Sequence, residues 1–250
     1  MKIQIISDLH VDFSQNYQWV LNNLKSCADV LVIAGDICPD GYVSTRNTYR
    51  KLIRHLSSLW SNIIIVPGNH DFWGYDSDNK NFTHCHDIIS EYSGTVHYVN
   101  NDFVTIGEIT FLCSTLWSLI IDNAIGVRHG MNDYYEIKNH TILKNNDYHL
   151  QSKLWLEETI VDFNKVVIVT HHLPSYSLID SKFYGDPLSE AFVVNMNDFI
   201  DKWTEKIPYW IHGHSHSLLQ RTLGETCFIR NPLGYYFEEL KCDPSLVIDV

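Results

Sequence analysis

Short apolar runs alternate with amphipathic stretches along the first quarter of the chain. Helical periodicity extends from about residue 15 to 25, with Ser14 as the expected N-cap, and again around residues 48–59. Three runs rich in β-branched residues, a pattern typical of strands buried on both faces, flank these stretches at residues 3–6, 30–34 and 63–66. This β-α-β-α-β order predicts a parallel sheet that is covered on both faces.

The pattern is irregular from residue 72 to about residue 146, where Asn, Asp, Tyr and His are frequent. Strands are predicted in this interval at residues 96–99, 103–106 and 109–113. The polar remainder predicts long loops, and we expect them to form an insertion over a functional site.

Regular periodicity returns after residue 146. A helix is predicted over residues 147–161, with Asn146 or Asp147 as its N-cap. Its apolar face would contain Leu150, Leu154 and Ile160. The other predicted elements are a strand at 166–170, a helix near 188–203, strands at 209–211, 218–223 and 226–230, and an edge strand at 246–250. Because no repeat or linker interrupts this order, the sequence predicts one domain over residues 1–250.

Composition narrows the class of protein. With 250 residues, 45% of them hydrophobic and 19% charged, the chain is long enough for one α/β domain with a buried core. No apolar run approaches the roughly 18 residues of a membrane span, and residues 1–8 have the pattern of a strand and not of a secretion signal. Six cysteines without C-x-x-C spacing favour reduced thiols in a cytoplasmic protein. The net charge of -12 argues against a nucleic-acid partner, and bound divalent cations would offset part of it.

Polar clusters follow the apolar runs at five places. They are Asp8-Leu9-His10, Gly35-Asp36, Gly68-Asn69-His70-Asp71, His171-His172 and Gly213-His214-Ser215-His216. Side chains two positions apart, as in Asp8 and His10, leave the same face of an extended strand end. The two oxygens of Asp36 could bridge two cations, and the amide oxygen of Asn69 is a hard ligand that suits Mn, Mg or Fe. The clusters therefore predict a site for two metal ions.

The order D-x-H, G-D, G-N-H-[DE], H and G-H-x-H resembles the pattern of the calcineurin-like metallophosphoesterases, and here it extends over residues 8–216. The resemblance implies an α/β fold, a four-layer α-β-β-α sandwich with the metals at the strand ends. It also implies two divalent ions, with manganese as the first expectation and iron, zinc or magnesium as alternatives. One ion would be held by Asp8, His10, Asp36 and His216, and the other by Asp36, Asn69, His171 and His214.

The resemblance further implies the roles of the remaining motif residues. His70 is expected to be catalytic, with Asp71 orienting it. His171 is favoured as the ligand of the adjacent pair, which leaves His172 to face the substrate or to support a ligand. Hydroxide held between the two ions would attack a phosphoester, and protonated His70 would assist departure of the leaving oxygen.

The substrate is less defined by the sequence. Trp73 and nearby aromatic residues could form a wall for a base or ring, although packing of long loops explains them equally well. Arg128 could bind a non-transferred phosphate or cap the pocket. Residues 230–235 are another candidate, although a turn after a strand explains their Asn-Pro and Gly. We expect a phosphorylated small molecule or nucleotide as substrate, in a phosphomonoesterase or phosphodiesterase reaction; the alternatives are a phosphoprotein, then a nuclease or a non-catalytic scaffold.

Overall fold

The computed structural model describes residues 1–78, 83–239 and 242–250, which fold around two sheets. In spatial order, the first sheet contains β11 (Val247–Asp249), β1 (Lys2–Ile6), β2 (Val30–Ala34), β3 (Asn62–Val66) and β4 (Val96–Tyr98). The second contains β5 (Asp102–Ile106), β6 (Ile109–Ser114), β7 (Val166–Thr170), β8 (Tyr209–Ile211), β10 (Thr226–Arg230) and β9 (Leu219–Leu223). Pairing is parallel except at the edge strands β11, β5 and β9, which are antiparallel to their neighbours.

Helices connect these strands and cover the outer faces of both sheets. They are α1 (Ser14–Asn23), α2 (Val43–Ser57), α3 (Thr83–Ser90), α4 (Ala124–Gly130), α5 (Asp133–Glu136), α6 (Ile142–Thr159) and α7 (Asn197–Trp203). Short 3-10 turns lie at His70–Phe72, Ile160–Asp162, Tyr176–Leu178, Ser181–Phe183, Ser189–Ala191 and Thr204–Lys206. In the part of the chain that the structure describes, no helix combines the length and apolar character that crossing a membrane requires.

The core has three layers of side chains. Alternate residues of each strand point to opposite faces, so Ile5 and Val32 meet Phe111 of the second sheet in a central layer. The outward residues of the first sheet pack against α1, α2 and α3, and those of the second sheet pack against α6 and α7. Each fully buried Ile or Val contributes about 1.5–3 kcal/mol of hydrophobic stabilisation. The predicted four-layer α-β-β-α sandwich is confirmed.

Every predicted strand is present to within one or two residues, including the edge strand near the C-terminus. Two details of the first helices differ from the prediction. Ser14 is the first helical residue and not the N-cap, because Phe13 occupies that position and no side chain caps the helix. The second helix begins at Val43, earlier than predicted, because its first turn is polar or exposed and lacks apolar periodicity.

Helix α6 differs most from its predicted form. It begins after Thr141, whose hydroxyl caps the amide of Lys144, and not at Asn146 or Asp147. Leu150 and Leu154 are half exposed, so the predicted apolar face is wrong except for Ile160, which is buried. The buried face is largely polar and contains Asn145, His149, Ser152 and Leu156. These polar side chains satisfy loop carbonyls, so hydrophobic periodicity could not reveal the face.

The helix predicted near residues 188–203 is limited to α7. The preceding backbone is extended where it pairs with Leu173, which accepts from Val194 and donates to Phe192. Between residues 72 and 146, predicted as irregular, the described residues include α3, α4 and α5 beside the three predicted strands. These helices are short, which explains their weak periodicity.

Candidate metal centre

Loops that follow β1, β2, β3, β7 and β8 bring the five polar clusters together at one edge of the two sheets. Two glycines permit this close approach. A Cβ on Gly35 would lie 2.1 Å from Nδ1 of His171, and one on Gly68 would lie 2.1 Å from Oδ1 of Asp36. Any larger residue at either position would therefore displace a side chain of the site.

Strained backbone turns aim the side chains inward. Asp8, His10, Asp36 and His214 all have positive φ, between 43° and 69°. This region costs a non-glycine residue of the order of 1–3 kcal/mol, and such strain is concentrated at functional sites. Asp8 and His10 converge on one cluster as expected, but the backbone at the clusters is not extended as expected, because the loops turn sharply there. His214 and His216 consequently point to different parts of the site.

The His10 cluster consists of Asp8, His10 and His216, whose candidate ligand atoms lie within 4.8 Å of one another. Nε2 of His10 lies 3.2 Å from Nε2 of His216, which lies 3.6 Å from Oδ1 of Asp8. The opposite nitrogen of His216, Nδ1, donates to Oε2 of Glu238 at 2.7 Å. Glu238 thus fixes the ring so that Nε2 faces the cluster.

The His171 cluster consists of Asn69, His171 and His214. Nε2 of His171 lies 3.0 Å from Oδ1 of Asn69 and 3.1 Å from Nδ1 of His214. The amide nitrogen of Asn69 donates to Asp133 at 2.8 Å, which turns its oxygen toward His171. All three side chains are at least nine-tenths buried.

Asp36 lies between the two clusters. Its Oδ2 is 3.3 Å from Nε2 of His171 and 3.9 Å from Nε2 of His10, while Oδ1 accepts the amide of His70 at 2.9 Å. Burial raises the pKa of Asp36, but the charges of His171 and His70 outweigh this and hold the pKa well below its usual value. Asp36 is therefore an anionic group shared by both clusters.

The positions of the ring protons of His171 and His214 show whether the site can accept cations. Nδ1 of His171 donates to the carbonyl of Ala34 at 2.9 Å, and Nε2 of His214 donates to Ala191 at 3.3 Å. Neutral rings therefore place two lone pairs opposite each other, beside the oxygens of Asn69 and Asp36. Such a group of acceptors is stable only around a proton or a metal ion. The donor set fits divalent metals.

Protons occupy the same place when no metal competes. Burial lowers the pKa of His171, but Asp36 and Asp8 overcome this and raise it to about 9. Burial likewise opposes protonation of His216, yet hydrogen bonds to Asp8 and Glu238 raise its pKa to about 10. Each cluster therefore contains one histidine whose surroundings favour its protonated form.

His70 lies at the border of the His10 cluster, with its ring centroid 4.7 Å from that of His10. Its ring stacks on Trp73 at 3.7 Å, and its Nε2 is 3.2 Å from the hydroxyl of Tyr235. Nε1 of Trp73 donates to Asp133 at 2.7 Å, which anchors the stacked indole. Trp73 thus contacts the predicted catalytic residue directly.

Asp71 does not orient His70, and the sequence-based expectation is wrong on this point. Its carboxylate accepts four backbone amides, those of Asp36, Ile37, Cys38 and Gly68, at 2.8–3.2 Å. These bonds tie the loop after β2 to the loop after β3. Asp71 is therefore a positioning residue that holds Asp36 and Asn69 at the correct separation.

His172 is buried beside the site, with 2% of its surface exposed. Nδ1 donates to the carbonyl of Thr115 at 3.1 Å, and the ring lies 4.3 Å from that of His214. Burial and the adjacent charge of His171 lower the pKa of His172 to about 3, so the ring is neutral. Its position favours support of His214 over contact with a substrate.

A central cavity of about 240 Å³ opens onto both clusters. Arg128 is exposed on α4 and is not among the described residues that line this cavity, so its contact with a substrate phosphate stays a prediction. Tyr235 also lines the cavity and belongs to the candidate segment 230–235. Lining residues that sequence reasoning did not assign to the site are Met131, Lys182, Phe183, Phe192, Ser215 and Glu238. The aromatic residues and Lys182 come from the segment between β7 and α7 or from the C-terminal segment, and they match no motif.

Comparisons with known proteins identify the family of the chain. A family model described as calcineurin-like phosphoesterase matches residues 1–218. An uncharacterized protein of Acanthamoeba polyphaga mimivirus is 25% identical over 279 residues, covering 99% of this chain and 96% of that protein.

Two solved structures share the fold at low identity. Phosphopantetheinyl hydrolase from Mycobacterium tuberculosis superimposes with a TM-score of 0.68 at 16% identity, covering 94% of this chain and 89% of that one. The protein TT1561 of Thermus thermophilus gives a TM-score of 0.56 at 13% identity, with 92% and 88% covered. The match over residues 1–218 places the chain in the calcineurin-like phosphoesterase family.

Proposed function

We propose that this protein is a metal-dependent hydrolase of phosphomonoesters or phosphodiesters with two divalent ions in its site. The observation that supports this most strongly is the position of Asp36 between two histidine-containing clusters. Asp8, His10, Asp36 and His216 would hold one ion. Asp36, Asn69, His171 and His214 would hold the other.

Bound ions would lower the pKa of a water between them toward neutrality and would bind the phosphoryl oxygens. The side chains supply the remaining functions. His70, held by Trp73 and Tyr235, faces the central cavity and would donate a proton to the leaving oxygen. Asp133 orients Asn69, and Glu238 orients His216, so both ligands are prepositioned before any ion arrives.

The donor set suggests which metal is bound. Imidazole nitrogens and carboxylate or amide oxygens are present in the two clusters, without a thiolate among the proposed ligands. Manganese is our first proposal, and iron, zinc and magnesium accept parts of the same set. We propose one domain for the whole chain, because both sheets share the central core layer, and a cytoplasmic location, which the six unbridged thiols support.

The competing functions are less well supported. The net charge of -12 disfavours a nuclease function, because a negatively charged protein repels the polyanionic nucleic acid strand. A scaffold without activity would not need a complete set of buried candidate metal ligands, several of them on strained backbone. A phosphoprotein substrate remains the alternative within the hydrolase class.

Hydrolysis of p-nitrophenyl phosphate and bis-p-nitrophenyl phosphate tests the proposal. Metal-free protein should be inactive, and added Mn²⁺ should restore turnover of one or both esters. Chelator should abolish it again. The scaffold would be favoured if no ester were hydrolysed with any of the four metals, and the relative rates decide between monoester and diester chemistry.

A further inference from the structure

An apolar pocket of about 150 Å³ adjoins the central cavity. Three residues line both spaces, namely Phe183, Phe192 and Ser215, so the pocket lies directly beside the metal centre. The ring of Phe192 stacks on His214, with centroids 4.5 Å apart. A group entering the pocket would therefore lie beside the His171 cluster.

The walls of the apolar pocket are mostly hydrocarbon. Its apolar lining residues are Leu173, Ile179, Phe183, Leu188 and Phe192. Two of the three polar residues described in the lining bond to the backbone. Ser189 donates to the carbonyl of Phe183, and Asp186 accepts the amide of Leu188 at 2.8 Å. A ligand here would find apolar surface and few free hydrogen-bonding partners among the described residues.

A positive charge stands at the junction of the two spaces. Lys182 lines the central cavity, and its Nζ lies 4.8 Å from the centroid of the Phe183 ring. Its partner Asp180 is 3.9 Å away, and 60% of the lysine side chain is exposed. The ammonium can therefore turn toward an anionic oxygen in the central cavity, outside the apolar pocket.

We infer that the apolar pocket binds the organic group of the substrate, and that this group is an uncharged aryl or alkyl moiety and not a nucleoside. The inference rests on the proposed function, because it requires the phosphoryl group to sit between the two clusters. A nucleobase and ribose would leave several donors and acceptors unpaired against hydrocarbon walls, whereas a ring or short chain would be desolvated at no such cost. Lys182 would neutralise a phosphoryl oxygen at the pocket entrance.

A pair of aryl phosphates measures the preference for an apolar over a polar organic group separately from differences in chemical reactivity. The leaving phenols of 4-butylphenyl and 4-(2-hydroxyethyl)phenyl phosphate are of similar acidity, so intrinsic reactivity is matched. Each is offered to the Mn²⁺-loaded protein as the monoester and as the methyl diester. We expect kcat/KM to favour the butyl ester by roughly tenfold or more, from the burial of its extra methylenes. 5′-AMP and its methyl diester have a less reactive alkoxide leaving group, so only a preference for them, and not their slower hydrolysis, bears on the inference.

Substitutions in the apolar pocket test whether the preference for the butyl ester arises there. Phe183→Ala and Leu188→Thr should each reduce, at least threefold, the ratio of kcat/KM for the butyl ester to kcat/KM for the hydroxyethyl ester. Tyr184→Ala is the matched control, because Tyr184 is exposed beside Phe183 and lines neither space. Thermal unfolding of each variant confirms that it is folded.

The outcomes separate the two proposals. If no ester is hydrolysed with Mn²⁺, the proposed function fails. If the esters are hydrolysed without a butyl preference, or if both pocket variants keep the full preference, the inference about the apolar pocket is overturned and the hydrolase proposal stands. A preference for 5′-AMP would overturn it equally.

Discussion

The hydroxyl of Tyr235 lies 3.2 Å from Nε2 of His70 and connects the segment after β10 with the loop after β3. Tyr235 also packs against His10, with ring centroids 4.5 Å apart. Burial raises the pKa of Tyr235 above its usual value, and the nearby Asp36 adds to this, so the phenol keeps its proton. Tyr235 and Trp73 therefore determine the orientation of His70, a role that the motif pattern assigns to Asp71.

Tyr235→Phe should lower kcat by roughly 5- to 10-fold, because one neutral hydrogen bond to His70 is lost. His70→Ala should lower kcat by roughly 10²- to 10⁴-fold, the usual contribution of a general acid. Neither variant should change the number of bound metal ions. Tyr236→Phe is the control, since Tyr236 is the neighbouring exposed tyrosine and does not line the central cavity. Metal loss in His70→Ala would instead identify His70 as a ligand.

Glu238→Gln should weaken metal binding at the His10 cluster by roughly 10- to 100-fold, because the carboxylate that orients His216 becomes a neutral amide. The effect should appear as a shift in one of two binding steps in a calorimetric titration with Mn²⁺. Glu225→Gln, in the exposed β9–β10 turn, provides a control with the same change of charge. Equal titrations for the two variants would exclude a role for Glu238.

Asp71→Asn should destabilise the fold by about 3 kcal/mol, because the amide cannot accept all four backbone N–H groups and leaves buried donors unpaired. Urea unfolding of metal-free protein measures this directly. His70→Ala, which removes no such bonds, should leave stability nearly unchanged. If Asp71 acted only by orienting His70, Asp71→Asn and His70→Ala would have the same free energy of unfolding as the wild type and would differ from it only in kcat.

Acid should destabilise the fold through His140, which is 7% exposed and whose ring nitrogens form no hydrogen bond of normal geometry with the described residues. Burial lowers its pKa from 6.5, although Asp133 and Asn145 oppose this. Below pH 6.5 His140 is protonated in the unfolded chain but stays neutral in the folded chain. As the pH falls from 6.5 toward the pKa of the folded state, the free energy of unfolding therefore decreases by up to about 1.4 kcal/mol per pH unit. His140→Phe should flatten this slope in urea titrations between about pH 5 and pH 7.5. An unchanged slope would contradict the assignment.

The strands were predictable because their signal is local. A short β-branched run such as residues 30–34 is buried on both faces and needs no knowledge of its partners. The buried face of α6 was not predictable, because Asn145 and His149 are buried against loop carbonyls and carry no hydrophobic pattern. The start of α2 was missed for a similar reason, since Val43 is exposed.

The clusters themselves were predictable from the order of the motifs, whereas the residues that orient their side chains were not. Tyr235 approaches His70 across more than 150 residues of sequence, and neither Tyr235 nor Glu238 belongs to a spaced motif. The sequence of segment 230–235 indicates only a turn that could contact substrate. Positive φ at His214 could not be read from residue type, and it sends His214 and His216 to different clusters.

Phosphoester hydrolysis by two metal ions that share Asp36 is the proposal on which the other predictions depend. Its most direct test is to titrate metal-free protein with Mn²⁺ while bound metal and hydrolysis of bis-p-nitrophenyl phosphate and p-nitrophenyl phosphate are followed together. Two ions should bind per chain, activity should rise until both are bound, and Asp36→Ala should lose metal and turnover together. Full activity with one ion, or hydrolysis that persists in Asp36→Ala or in chelator, would contradict the account.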